Sequence, residues 1–253
     1  MTVLHLRFIT CLMFMEFSLK PNVSYGTYFF LKGVFYFMTF PFSFTFIVLS
    51  GMSGSGKTRL LEELELSGFP TLNLEKVASH RGSAFGNLLM KAQPSQEEFE
   101  KEIDKTLQQY PSAKYIFTEQ KSSSIGKRKI PAWLYSRMQQ GIFIQLQVEK
   151  RLRIQNIIEE YQAAGKPGFS GGLQKLKQRL PENVIKQCED ELNNENYEAF
   201  VSSMLDYYDN SAKYHVPANA ILIKTDANDV MHLKQQVLES LERIDVQLNG
   251  LLK

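Results

Sequence analysis

The chain has 253 residues, 43% hydrophobic and 22% charged; that is enough apolar material for a real core and excludes a disordered or fibrous polypeptide. A formal net charge of +2 excludes the global basic field of a non-specific nucleic-acid binder. The two cysteines, Cys11 and Cys188, lie far apart without metal-ligand spacing, which excludes a disulfide framework or a zinc site and points to a reducing, cytoplasmic setting.

Residues 1–42 form an aromatic-rich segment whose structure the sequence does not assign. Eleven of the 18 phenylalanines fall within the first 50 residues. Residues 33–50 carry no charge and reach the length of a short membrane span. Pro41 interrupts that stretch, and its second half is needed as a strand, so a membrane partner is not expected. Cys11 reads as a buried hydrophobe.

Residues 43–253 are expected to form one α/β domain, because strand and helix patterns alternate from Phe44 onward. The first strand spans 44–49, and a helix follows over 57–67, with Gly68 as its C-cap. Residues 71–74 read as a second strand. Ser95 and Glu98 make a capping box that starts a helix running to about 109. Residues 115–118 are a third strand, ending at Glu119. A helix over 131–140, with Pro131 in its first turn, leads to a strand at 142–146. A long helix occupies 150–164, and Gly165 to Gly172 reads as a flexible joint. Residues 173–213 are helical and polar, with a break at Pro181. A strand at 220–223 and a closing helix at 229–250 complete the chain.

Between the first strand and helix stands Gly51-Met52-Ser53-Gly54-Ser55-Gly56-Lys57-Thr58, a fit to G-x-x-x-x-G-K-[ST]. Strand, glycine loop and helix form the context in which this pattern cradles phosphate. Backbone N–H groups of Gly51, Ser53, Gly54, Ser55 and Gly56 would curl round an anion at the positive end of the helix. Lys57 would add a mobile cation, and Thr58, with Glu119 at a strand end, would position a magnesium ion if one is used. The expected fold is therefore a P-loop NTPase-like parallel sheet flanked by helices, with a helical insertion near residues 165–215.

Further motifs narrow the reading. Leu74-Glu75-Lys76-Val77-Ala78-Ser79-His80-Arg81-Gly82-Ser83-Ala84-Phe85-Gly86 resembles the L-E-x-x-A-x-H-R-G-S-A-F-G signature of the tRNA 2-selenouridine synthases. The segment from Gln93 to Glu100 is similar to that family's Q-x-S-Q-x-x-F-E. Glu119, Ser122 to Gly126, Ile130-Pro131, Arg151-Leu152 through Glu159-Glu160-Tyr161, and Tyr207-Tyr208-Asp209 with Tyr214 extend the resemblance over about residues 46–226. Two departures stand out. The rhodanese domain that opens full-length members, with its catalytic cysteine, has no counterpart here, and Cys11 lacks the surroundings to replace it. The arginine of the family's E-S-R is also missing; Lys127, Arg128 and Lys129 are candidate replacements for that cation.

The resemblance implies a substrate, tRNA bearing 2-thiouridine at the wobble position. It also implies two co-substrates: geranyl diphosphate, which alkylates the sulfur, and selenophosphate, which replaces the geranyl thiolate with selenium. The loop then has a reading besides ATP binding, as a cradle for the prenyl diphosphate. A separate rhodanese-domain protein would be the partner. Lys57 and Arg81 are candidates to stabilise the leaving diphosphate, His80 is an acid/base candidate, and Glu119 completes the expected catalytic set. Glu75, Gly82, Ser83, Phe85, Gln93, Ser95, Gln96 and Arg151 are expected to bind substrate. Tyr207 and Tyr208, with Trp133, are stacking platforms for an unpaired anticodon base. Two other readings stay open. One is an ATP-dependent small-molecule kinase, resting on the loop, Glu119 and Arg151–Arg153; the other is an inactive paralogue that binds tRNA or a partner.

Overall fold

The computed structural model describes residues 26–31, 34–39, 44–83, 85–211, 216–225 and 229–251. The chain divides into two compact units, Met1–Phe44 and Thr45–Lys253. In the first, strands β1 (Gly26–Leu31) and β2 (Val34–Thr39) pair antiparallel. The rest of the aromatic-rich segment, with Cys11, lies outside the described residues, as do Ala84, Tyr214 and Asp226. Within the charge-free stretch residues 34–39 and 45–50 are strand, and no described helix is long and apolar enough to cross a membrane.

The second unit begins with β3 (Thr45–Gly51), whose Phe46, Ile47, Val48 and Leu49 are all buried. A strand apolar on both faces belongs at the centre of a parallel sheet, and β3 sits there. The sheet runs β4-β5-β3-β8-β9, every neighbour parallel, with β4 at Thr71–Leu72, β5 at Tyr115–Glu119, β8 at Ile142–Val148 and β9 at Ile221–Thr225. Helix α1 (Lys57–Leu66) buries Leu60, Leu61 and Leu64 against Ile47, Leu49, Phe117 and Ile144. Helix α9 (Val230–Leu251) adds Leu233, Val237 and Leu241 to the same core, and Asp229 accepts from the N–H groups of Met231 and His232 at its start.

Several elements differ from expectation for identifiable reasons. The second strand stops at Leu72 because Asn73 turns the chain: its side chain accepts from Lys76 N at 2.9 Å and caps helix α2 (Leu74–Ala78). Helix α3 (Gln96–Gln108) starts at the expected capping box. After β5, strands β6 (Ser124–Ile125) and β7 (Arg128–Lys129) make a small antiparallel hairpin that local patterning did not reveal. Helix α4 (Ala132–Gln139) follows Pro131.

The largest correction concerns residues 165–213. Helix α5 (Lys150–Tyr161) passes through a 3₁₀ turn into α6 (Gly165–Leu176), so the expected joint is helix. Pro167 is tolerated in the first turn, and burial of Phe169, Leu173 and Leu176 outweighs the glycines. Helices α7 (Glu182–Asn193) and α8 (Tyr197–Ser211) are amphipathic rather than simply polar. Cys188, Leu192, Phe200, Val201, Met204 and Leu205 join the α6 residues in a second core. At Gly172 the Phe85 ring comes so close that a Cβ there would lie 2.1 Å from it.

Candidate active site

The loop Gly51–Thr58 bridges β3 and α1 as expected. Gly54 has φ +77°, and a Cβ on it would lie 2.5 Å from the Arg153 carbonyl oxygen; this turn therefore requires glycine. Helix α1 opens on Gly56 without a side-chain cap, which leaves its first N–H groups and positive end for an anion. Lys57 lies across the loop, its ammonium donating to the carbonyl oxygens of Gly51 (2.7 Å) and Met52 (2.9 Å) and to Ser55 Oγ (3.1 Å). Burial, then the charge of Lys121, lowers its pKa to about 8.

Arg153 holds the loop from outside. It is 3% exposed; its Nε donates to Ser53 O at 2.8 Å, and its two terminal nitrogens reach both carboxylate oxygens of Asp209 at 2.9 and 2.7 Å. Asn156 Nδ2 donates to Gly54 O at 2.8 Å. These bonds give Arg153 a fixed role in the loop wall. Arg151, expected to bind substrate, is exposed and away from the cavities.

Beneath the loop, parallel pairing of β4 with β5 sets Leu72 opposite Thr118. That register brings Glu75 beside Glu119. The Glu119 carboxylate is fully buried, accepts from Glu75 N at 3.2 Å and lies 3.1 Å from Lys121 Nζ. Lys121 also donates to Glu75 Oε1, and the Thr58 hydroxyl donates to Glu75 Oε2 at 3.1 Å. Burial works against the Lys121 charge, but Glu119 and Glu75 outweigh it and hold its pKa above the ordinary lysine value. Burial pushes Glu119 up, against the pull of Lys121. The cation beside this carboxylate pair is Lys121. Of the expected magnesium ligands, Thr58 donates to Glu75, and Glu119 accepts from Glu75 N on Oε1 while its Oε2 is without a hydrogen bond; the Lys121 ammonium, 3.1 Å from that oxygen, takes the space a divalent ion would need. Among the described residues no cluster of three or more His, Cys, Asp or Glu side chains could hold a metal.

On the other side of the loop lies a cavity of about 130 Å³. Ser53, Gly54, Lys57, Thr58, Glu75 and Arg81 form its polar end. Its walls are Phe85, Ile157, Tyr161, Phe169 and Phe200, closed by Val201, Met204 and Leu205. Arg81 Nε pairs with Glu160 Oε1 at 2.8 Å, and its guanidinium stands 5.1 Å from the centre of the Tyr161 ring. Arg81 Nη1 is buried without a hydrogen-bond partner, as a donor awaiting an anion would be. Glu160 lines this cavity and also the open space over the loop; burial raises its pKa, against the pull of Arg81. Sequence reasoning passed over Lys121, Glu160 and Asp209 as site residues, although the last two lay inside matched motifs.

The remaining expected residues divide. Ser83, Phe85 and Tyr208 line the cavity, and Tyr207 packs its ring 5.5 Å from that of Tyr208. Gly82 is exposed and gives its N–H to His80 Nδ1 at 2.9 Å. His80 lies outside the cavity; burial lowers its pKa, and its ring serves the turn that carries Arg81. Gln93, Ser95 and Gln96 hold the fold. Gln93 donates to the carbonyl oxygens of Ala78 and Ile125 and accepts from Lys127 N. Ser95 caps α3, and Gln96 bonds both backbone groups of Lys129. Their polar groups are spent on the β6–β7 hairpin and the helix end. Trp133 is half-buried on α4 and away from the cavity.

Residues 44–171 match the family model described as tRNA 2-selenouridine synthase AAA domain. Among curated relatives, a tRNA 2-selenouridine synthase of Nitrosomonas eutropha is 34% identical over 121 residues, 46% of this chain and 30% of the relative. That of Nitrosomonas europaea is 32% identical over 138 residues, 53% of this chain and 34% of the relative. That of Shewanella piezotolerans is 35% identical over 117 residues, 46% and 31% respectively. The matching region spans about a third of the length of these relatives.

Proposed function

The chain belongs to the tRNA 2-selenouridine synthase AAA-domain family, and on that premise we propose that it is a transferase acting on wobble 2-thiouridine of tRNA, with geranyl diphosphate bound across the loop and the adjoining cavity. One observation carries this reading: an anion cradle opens directly into an apolar, aromatic-walled cavity. A nucleoside triphosphate has no apolar tail to place there, whereas a prenyl diphosphate has one end for each half. Apolar burial of this kind contributes roughly 0.8 kcal/mol per CH₂.

In this reading the thiouridine sulfur attacks C1 of the geranyl chain. The S–C1 bond forms, the C1–O bond breaks, and diphosphate leaves with the electron pair. Lys57, the α1 N-terminus and Arg81 stabilise the charge that develops on it. The uridine N3 proton must also leave, and Glu160, set between cradle and cavity with a raised pKa, is the proposed acceptor. Selenophosphate would occupy the same cradle in the second half of the reaction. A separate rhodanese-domain chain is the proposed partner, and the cytoplasm the proposed compartment.

The test is incubation of the full chain with thiolated tRNA and geranyl diphosphate, then digestion to nucleosides and mass spectrometry. A geranylated nucleoside formed by the wild type and lost in Lys57→Met is expected. None, with or without a rhodanese-domain partner, overturns the reading. A kinase reading draws on the broad groove of about 650 Å³ beside Met52, Ser55, Gln147, Arg153 and Lys224. ATP displacing geranyl diphosphate, with phosphoryl transfer to a metabolite, would favour it.

A further inference from the structure

We infer that the ammonium of Lys121 takes the place of the divalent cation in this loop, so that the site binds a diphosphate without magnesium. The inference rests on the reading of Gly51–Thr58 as an anion site. Two carboxylates, Glu75 and Glu119, meet on one ammonium. Their side chains are 7% and 0% exposed, and that of Lys121 is 12% exposed. Magnesium demands octahedral geometry and keeps several of its waters; this buried pair has the Lys121 ammonium against both carboxylates and the Glu75 N–H on Glu119 Oε1, and Glu119 Oε2 alone is without a hydrogen bond, which leaves no room for such a shell. The Thr58 hydroxyl donates to Glu75 Oε2, which ties the first turn of α1 into the same network.

The lysine also accounts for a carboxylate beside a phosphate site. Glu75 lines the cavity with Lys57 and Thr58, where an uncompensated charge would repel a polyanion. Lys121 neutralises it from behind, is tethered to the chain and requires no ion to be captured from solution. Lys121 is thus a positioning residue: it holds Glu75, which holds Thr58 at the first turn of α1.

Calorimetric titration of inorganic diphosphate into the full chain, in excess EDTA and in magnesium, tests this. Wild-type affinity in EDTA is expected within about threefold of that in magnesium. Lys121→Met should lose roughly a hundredfold in EDTA and recover with magnesium, because the two freed carboxylates then take a metal. Manganese alone, followed by its electron paramagnetic resonance signal, should bind Lys121→Met and leave the wild-type signal undiminished. Lys121→Arg keeps the cation and should bind diphosphate in EDTA, a readout that survives if Lys121→Met fails to fold. Wild-type binding only with magnesium overturns the inference alone, as does Lys121→Met binding as tightly as wild type in EDTA. No binding under any condition overturns it together with the anion reading of the loop.

Discussion

The two sides of the phosphate loop solve opposite problems. On the sheet side, Glu75, Glu119 and Lys121 are buried charges held by strand register. On the helical side, Phe85, Phe169, Phe200 and Leu205 are apolar groups held by close packing. The charged side is specified by pairing and tolerates little loss of a partner; the apolar side is specified by volume and tolerates little gain. Substitutions should therefore fail in different ways on the two sides.

The largest effect is expected at Lys121. Lys121→Ala strands two buried carboxylates and should cost about 3–5 kcal/mol of stability, read by denaturant unfolding; a loss under about 1 kcal/mol would show that the pair is solvated. Lys57→Met comes next, with diphosphate affinity falling about 10²- to 10³-fold and stability largely retained. Affinity close to wild type would remove the loop from the anion site. On the apolar side, Gly172→Val forces a side chain into the Phe85 ring and should cost about 1–3 kcal/mol. It should weaken geranyl diphosphate more than inorganic diphosphate, and equal weakening of the two would detach the cavity from the prenyl chain.

The smallest effect is graded with pH. Lys57 is a lysine with a folded pKa lowered to about 8, so it loses its proton above that value and anion affinity should fall by about tenfold per pH unit thereafter. The sign for stability is opposite. Between about pH 8 and the ordinary lysine value the unfolded chain binds more protons at this site, so the free protein gains stability with rising pH. Lys57→Met should show neither slope, by calorimetry and by thermal unfolding.

The same contrast explains what could be read from the sequence. The loop and its flanking strand and helix were legible because their signals are local: glycine spacing, an apolar run, Leu60, Leu61 and Leu64. The family's His-Arg-Gly motif led to Arg81, Ser83 and Phe85, which reach the cavity. Lys121 was not legible as the partner of Glu75, because Lys-Ser-Ser-Ser reads as a solvated turn and only β4–β5 pairing joins positions 46 residues apart. Gln93, Ser95 and Gln96 looked functional because they sit in a dense motif, yet their bonds go mainly to backbone, with Gln96 also donating to Glu100. Gly165 to Gly172 looked like a joint because glycine and proline punctuate local structure, while the aromatic core that overrides them comes from distant helices.

Arg153 sets an order of events. Its anchor points, Ser53 and Asp209, are made 156 residues apart, which at 5–20 residues per second is roughly 8 to 31 s of synthesis. The glycine turn can form as soon as β3 and α1 exist, but its outer wall is fastened only when α8 arrives. A growing chain therefore carries a loose cradle for most of its synthesis, and the site gains its rigid form close to the end. The helical insertion thus completes the wall of the loop, although no residue of α8 belongs to the loop.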